Sequence, residues 1–120
     1  MATYSSPFKT NLQTNLFTED NVGHLGLVDC LGEPSSVYAM VVKNADAGIR
    51  YFAMWDSTTV AWDSQSMLLR IPASTDVVVH VDNGASFLTA VSISASTSTN
   101  PGALVSPTNL DLTMFATPPS

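Results

Sequence analysis

Positive charge is scarce in this sequence. The 120 residues carry four Lys and Arg against ten Asp and Glu, which gives a formal net charge of −6. Because proteins neutralise phosphate groups mainly with Lys and Arg, so few cations exclude nucleic acid and anionic membrane surfaces as expected partners. Cysteine is scarcer still, since Cys30 is the single one. Neither an intramolecular disulfide nor a zinc site with several thiolates is possible, so packing alone must hold the fold together.

Long apolar segments are also missing. The longest uninterrupted apolar run covers residues 37–42, far short of the roughly 18 residues that a membrane-spanning helix needs. The opening residues, Met-Ala-Thr-Tyr-Ser-Ser-Pro, contain neither a basic stretch nor an apolar one. We therefore expect no membrane span and no secretory signal, and we expect synthesis in a reducing cytoplasm.

Neutral residues make up most of the chain. Hydrophobic residues account for 45% of it and charged residues for 12%, while Ser and Thr together contribute 28 positions. A chain of this length and apolar content is expected to bury one core. The abundance of Ser and Thr favours strands and turns over helices.

A two-residue periodicity recurs from residue 36 onward, and it is clearest over residues 75–82. Short strands are predicted at residues 26–31, 36–43, 49–56, 66–71, 75–82, 87–97 and 110–114. Turn-forming residues at 44–48 and at Asn83-Gly84 predict two hairpins. This pattern indicates an all-β fold, a single antiparallel β-sandwich of about seven to eight strands that is jelly-roll-like and covers residues 22–120.

Residues 1–21 are predicted to form an extended N-terminal arm. They are mostly polar and show no clear strand alternation, and weak helix formers interrupt the spacing of their apolar side chains. We expect this arm to become ordered on contact with a partner or another subunit, with a frayed terminus as the open alternative. Its candidate contact residues are Tyr4, Phe8, Leu12, Leu16 and Phe17.

Residues suited to catalysis occur only as isolated side chains. No Gly-x-Ser-x-Gly elbow and no phosphate-binding glycine motif surrounds any of them. His80 is expected on the outward face of a strand and His24 in a turn. The aspartates lack the dense spacing of a calcium loop, and turn formation is favoured over a structural ion. The sequence therefore predicts no enzyme activity, no cofactor and no metal site.

Two tryptophans flank a polar segment at residues 56–59, an arrangement that sugar-binding β-sandwiches use for stacking. Trp55 is expected in the core because it shares a strand face with Tyr51 and Ala53. Trp62 is left as a possible glycan platform. Cys30 is expected to act as a small buried hydrophobe.

The order of the segments resembles the small virion structural proteins of tailed bacteriophages, especially those from aquatic hosts, over residues 36–116. The matching segments are Val-Tyr-Ala-Met-Val-Val-Lys-Asn (37–44), Arg-Tyr-Phe-Ala-Met-Trp-Asp-Ser (50–57), Ile-Pro-Ala-Ser (71–74), Asp-Asn-Gly-Ala-Ser-Phe-Leu-Thr-Ala (82–90) and Ser-Pro-Thr-Asn (106–109). The N-terminal residues 1–21 have no counterpart in this pattern.

The resemblance implies a non-enzymatic virion component that decorates or cements the outside of the capsid. Its expected partner is the major capsid protein, its expected location is the capsid surface, and a homotrimer is the favoured oligomer. Two alternatives stay open at this point. One is a tail, neck or baseplate component of the same virion, and the other is a host-glycan-binding module that uses Trp62.

Overall fold

The computed structural model describes residues 2–5 and 13–117. Every regular element in these ranges is a β-strand, and none of these residues forms a helix that could cross a membrane. The strands are β1 (Ala2–Ser5), β2 (Gln13–Glu19), β3 (Ser35–Asn44), β4 (Arg50–Asp56), β5 (Met67–Ile71), β6 (Thr75–Phe87), β7 (Val91–Ser96) and β8 (Leu110–Thr117).

The strands form two antiparallel sheets. One has five strands in the order β1-β2-β8-β3-β6, and the other has three in the order β5-β4-β7. An isolated bridge between Leu27 and Ile93 adds one further pairing beside β7. We count this bridge as a short strand of the three-stranded sheet. From β2 onward, each connection then leads from one sheet to the other, except the connection between β4 and β5, which stays within the three-stranded sheet. The predicted all-β sandwich of antiparallel strands is therefore confirmed.

The core lies between the two sheets. On β8 the residues Leu110, Leu112 and Met114 are fully buried, and the residues between them are only half-buried. Phe52 and Ile93 enter the same cluster from the three-stranded sheet. The predicted alternation over residues 75–82 is also confirmed, since β6 alternates between half-buried and exposed positions there. Burial of one such large apolar side chain stabilises the fold by about 1.5–3 kcal/mol.

The turn at residues 44–48 does not close the predicted hairpin. It joins β3 of the five-stranded sheet to β4 of the three-stranded sheet, so the chain crosses the sandwich here. The buried side chain of Asn44 donates to the carbonyl of Pro72 at 3.0 Å and accepts the N–H of Asp46 at 3.0 Å. These hydrogen bonds direct the chain toward a distant segment, and a local turn pattern does not reveal them.

The second predicted hairpin, at Asn83-Gly84, is also wrong. β6 continues through this dipeptide to Phe87, and its register against β3 shifts by several residues between Val37 and Ala39. Gly84 has a φ of 78°, and a Cβ there would lie 3.0 Å from the ring of Tyr38. The glycine therefore makes a bulge under the Tyr38 ring, which uses the same positive φ that a tight turn would.

Residues 26–31 do not form the predicted strand. Gly26 and Asp29 have φ values of 77° and 51°, which are incompatible with extended backbone. Leu27 forms an isolated bridge to Ile93 of β7 through hydrogen bonds in both directions, and Cys30 N–H donates to the Val91 carbonyl of the same strand at 2.8 Å. Residues 1–21, which were predicted to form an arm, contain two strands of the five-stranded sheet, β1 and β2.

Candidate interaction surface

The residues predicted as partner contacts are distributed over different environments. Tyr4 lies in β1, whereas Phe8 and Leu12 lie outside the described residues. Phe17 packs against the main core. Leu16, its neighbour on β2, is half-buried on the opposite face of the five-stranded sheet and faces Phe115 of β8. Of Leu16 and Phe17, Leu16 is therefore the residue that lies on an outer surface.

The outer face of the five-stranded sheet carries two rows of side chains across four strands that contain no Asp, Glu, Lys or Arg. The registers of the paired strands place Leu16, Phe115, Ala39 and His80 in one row and Thr18, Thr113, Val41 and Val78 in the next. We call the five apolar members the outer-face stripe, and they are Leu16, Ala39, Val41, Val78 and Phe115. Val78 is 70% exposed and the other four are half-buried. Neighbouring side chains on one sheet face contact each other, so the stripe is a continuous apolar surface.

Charged residues border the outer-face stripe. The row beyond Val41 contains Lys43 between Asp76 and Asp111, so it has a net negative charge. At the other side, His80 Nδ1 lies 3.1 Å from Asp82 Oδ1, and both side chains are largely exposed. The prediction that His80 points outward is confirmed. A partner for this surface would combine apolar contacts at the centre with positive or polar groups at the edges.

Trp62 is not exposed, in contrast to the glycan platform considered in the sequence analysis. It is buried, and its ring packs edge-on against Trp55 with 5.7 Å between the ring centroids. Both rings belong to a small cluster on the outer face of the three-stranded sheet, separate from the main core. Trp55 is buried as predicted, although Phe52 and Met54, on the other face of β4, are the residues that fill the main core.

A row of buried serines explains why this face is covered. Ser92, Ser94 and Ser96 of β7 are all fully buried on the side away from the main core. Ser94 Oγ accepts the Trp62 Nε1–H at 3.2 Å and donates to the His24 carbonyl at 2.9 Å. Ser92 Oγ donates to the Ser57 carbonyl at 2.6 Å. Each hydroxyl thereby fastens a loop over the sheet and satisfies a polar group that burial would otherwise leave unpaired.

The Asp46 carboxylate connects three parts of the chain. It accepts the backbone N–H groups of Thr108 and Asn109, each at 2.9 Å, and forms an ion pair with Arg50 at 2.9 Å. Burial of this carboxyl would raise its pKa, but the hydrogen bonds from Thr108, Arg50 and Asn109 outweigh burial, and the pKa lies below its ordinary value. This aspartate therefore stays ionised and serves the fold.

The carboxylate of Asp56, at the end of β4, also connects distant parts of the chain. Its carboxylate accepts the backbone N–H groups of Leu88, Thr89 and Ala90, which form the link between β6 and β7. The hydrogen bond from Thr89 is the main reason that the pKa of the Asp56 carboxyl lies below its ordinary value. The sequence analysis placed Asp46 in a turn and Asp56 at the end of a strand, but it missed these distant partners, for which a short-range pattern holds no signal.

The remaining candidates for chemistry also lie in structural environments. His24 lies in a turn, as predicted, and its Nδ1 is 2.7 Å from Ser106 Oγ. Cys30 is partly buried against the main core, and burial raises the pKa of its thiol to about 12. Within residues 2–5 and 13–117, no group of three or more His, Cys, Asp or Glu side chains is arranged to hold a metal ion.

The chain matches no protein-family model, and no curated protein or solved structure is detectably similar to it.

Proposed function

We propose that this protein is a non-enzymatic structural component of a bacteriophage virion that decorates the outside of the head and stabilises the shell. The observation that carries the proposal is the outer-face stripe, which spans four strands and places Leu16 of the N-terminal segment beside Phe115. An exposed apolar surface with a polar border is typical of a protein interaction site. The resemblance of residues 36–116 to phage virion proteins gives the class of partner.

The proposal assigns the major capsid protein to this surface. The protein has a net charge of −6, and Asp76 and Asp111 lie at one end of the stripe with Lys43 between them. A capsid patch with an apolar centre and a basic border would complement it. A homotrimer at a local symmetry axis would present three such surfaces, and this multivalency strengthens weak individual contacts.

Co-sedimentation with undecorated phage capsids tests this function. Purified protein should pellet with the capsids and saturate at a fixed ratio to capsid subunits, and light scattering of the free protein should report a trimer. Val78→Glu is the informative variant, because Val78 is 70% exposed on the stripe and its replacement removes no core contact. We expect it to weaken capsid binding by at least about tenfold, which corresponds to about 1.4 kcal/mol.

Leu25→Glu is the matched control. It makes the same kind of change at a residue that is 82% exposed and lies in a turn away from the five-stranded sheet. This variant should bind capsids like the wild type. If Val78→Glu and Leu25→Glu both bind normally, the stripe is not the capsid surface. If the wild type ignores capsids but pellets with isolated tails, the tail, neck or baseplate alternative replaces the head assignment.

A further inference from the structure

A cavity of about 400 Å³ opens between the two sheets. It lies where β5, an edge of the three-stranded sheet, faces β6, an edge of the five-stranded sheet. The bulge of β6 around Gly84 contributes Val81, Ala85 and Ser86 to its lining. The cavity is on the core side of the sheets, so it is separate from the outer-face stripe.

The interior of this cavity is apolar. Its floor consists of side chains that also belong to the main core, and these are Val37, Met40, Met54 and Phe87. Met67, Val81 and Ala85 are half-buried and form the walls. The three methionines are flexible and polarisable, so they can adjust to ligands of different shape. The volume falls within the range of about 300–1,000 Å³ that is usual for small-molecule sites.

The polar groups lie at the mouth. Ser66 and Ser86 are exposed there, and Asp56 is half-buried beside them. The Asp56 carboxylate already accepts three backbone N–H groups and stays ionised at neutral pH. The described residues that line the cavity include no Lys, Arg or His. A negatively charged ligand would therefore meet a carboxylate and no compensating cation.

We propose that this cavity is a binding site for a small, uncharged and largely apolar molecule. The apolar part of the ligand lies against the methionines and Phe87, and a neutral polar group at its end meets the hydroxyls of Ser66 and Ser86. This inference is independent of the capsid proposal, because it uses another face of the fold and other residues.

Two dyes of nearly the same shape test the proposal. N-phenyl-1-naphthylamine is neutral, and 1-anilinonaphthalene-8-sulfonate has the same rings with one added negative charge. Titrated into the 120-residue protein, the neutral dye should show saturable fluorescence enhancement with one site per chain. The sulfonated dye should bind at least about tenfold more weakly. Absence of saturable binding by the neutral dye, or tighter binding of the sulfonated one, would overturn the proposal.

Variants locate the site. Ala85→Leu adds bulk to the cavity wall and should weaken binding of the neutral dye by at least about tenfold. Ala47→Leu makes the same change at an exposed position in the turn between β3 and β4, and it should leave binding unchanged. Equal affinity in both variants would place the dye elsewhere and overturn the assignment.

A positive charge added at the mouth provides a second test. Ser86 is exposed, so Ser86→Lys should fold normally while it supplies the missing cation. The proposal predicts that the affinity for the sulfonated dye rises relative to that for the neutral dye. If the ratio of the two affinities is the same as in the wild type, the dyes do not bind at this mouth and the proposal is wrong.

Discussion

The carboxylate of Asp56 accepts the backbone N–H of Thr89 at 2.8 Å, although 33 positions separate the two residues in the chain. The contact joins the end of β4 to the link between β6 and β7. Because β6 and β7 belong to different sheets, this link crosses the sandwich. One side chain on the three-stranded sheet therefore orients the chain segment that arrives from the five-stranded sheet.

Replacement of Asp56 should destabilise the fold. Asp56→Ala removes the acceptor of the N–H groups of residues 88–90, and because Leu88 and Thr89 are exposed to water we expect the free energy of unfolding to fall by about 0.5–1.5 kcal/mol. Asp56→Asn retains one acceptor oxygen and should lose less. Urea unfolding followed by tryptophan fluorescence measures both. Asp63→Ala, at an exposed loop position, is the control, and an equal loss there would contradict the role of Asp56.

Stability should decline in acid because of Asp46 and Asp56. The pKa values of both carboxyls are lower in the folded protein than their ordinary value of about 3.9. The unfolded chain therefore takes up protons first, so the stabilisation is complete above about pH 4 and is lost as the pH falls through the lowered values. Urea midpoints measured between about pH 6 and pH 2 should show this decline.

The double variant Asp46→Asn/Asp56→Asn separates these two carboxyls from the others in the chain. It should be less stable than the wild type at neutral pH, with a shallower decline toward acid. Parallel pH profiles for the variant and the wild type would show that other groups control the acid response.

Gly84 should tolerate no side chain. Gly84→Ala introduces a Cβ at a φ of 78°, 3.0 Å from the Tyr38 ring. Left-handed backbone alone costs a non-glycine residue about 1–2 kcal/mol, and the contact with the ring adds to this. Gly102→Ala is the matched control, because the nearest atom to its new Cβ is 3.6 Å away. Thermal unfolding should show a large decrease for Gly84→Ala and little change for Gly102→Ala.

The ring of Tyr38 offers a check on this explanation. In the double variant Gly84→Ala/Tyr38→Ala the steric conflict with the ring is absent, so the added methyl group should cost less than it does beside the intact ring. This coupling is measured by a double-mutant cycle. Strict additivity would contradict the proposed contact.

Ser94→Ala should loosen the covered face of the three-stranded sheet. The substitution leaves the Trp62 Nε1–H and the His24 carbonyl without their shared hydroxyl partner. Because the site is buried, we expect a loss of about 1–3 kcal/mol in the free energy of unfolding. Ser64→Ala, at an exposed loop position, should have little effect. Unchanged stability of Ser94→Ala would show that the hydroxyl is not needed there.

Two truncations should separate the N-terminal segment into parts with different roles. A chain that starts at Gln13 keeps β2 and should retain the fold. A chain that starts at Val22 lacks β2, leaves β8 as an unpaired edge, and removes Phe17 from the core. We expect a clearly lower thermal midpoint only for the shorter chain. Equal midpoints would mean that β2 contributes nothing to stability.

Patterns of neighbouring residues were sufficient for the fold class. The alternation around Val77 and Val79 and that of Leu110, Leu112 and Met114 each predicted a strand with one buried face, and both strands are present. The strand predicted at residues 66–71 also ends at Ile71, as predicted. These features depend on side chains two positions apart, because a strand directs alternate residues to opposite faces.

Patterns of neighbouring residues did not predict how the strands are connected. Asn44 and Gly84 belong to segments typical of hairpins, yet one directs a crossing between the sheets and the other makes a bulge. The side chain of Asn44 accepts a nearby backbone N–H, and Gly84 adopts a positive φ. Both properties occur in hairpin turns as well as in the crossing and the bulge seen in this fold. The partner that decides between the settings, such as Pro72 or Tyr38, lies elsewhere in the chain.

The sequence by itself determined that this protein is a β-sandwich and which face of β6 and of β8 turns inward, because composition and two-residue periodicity act locally. Only the tertiary structure decided that Trp62 is buried, that Asp46 and Asp56 fasten distant links, and that Leu16 lies beside Phe115 on one surface. The reason is physical: strand register and hydrogen bonds to distant backbone groups depend on which segments meet in space, and several strands must be paired before either the stripe or the cavity exists.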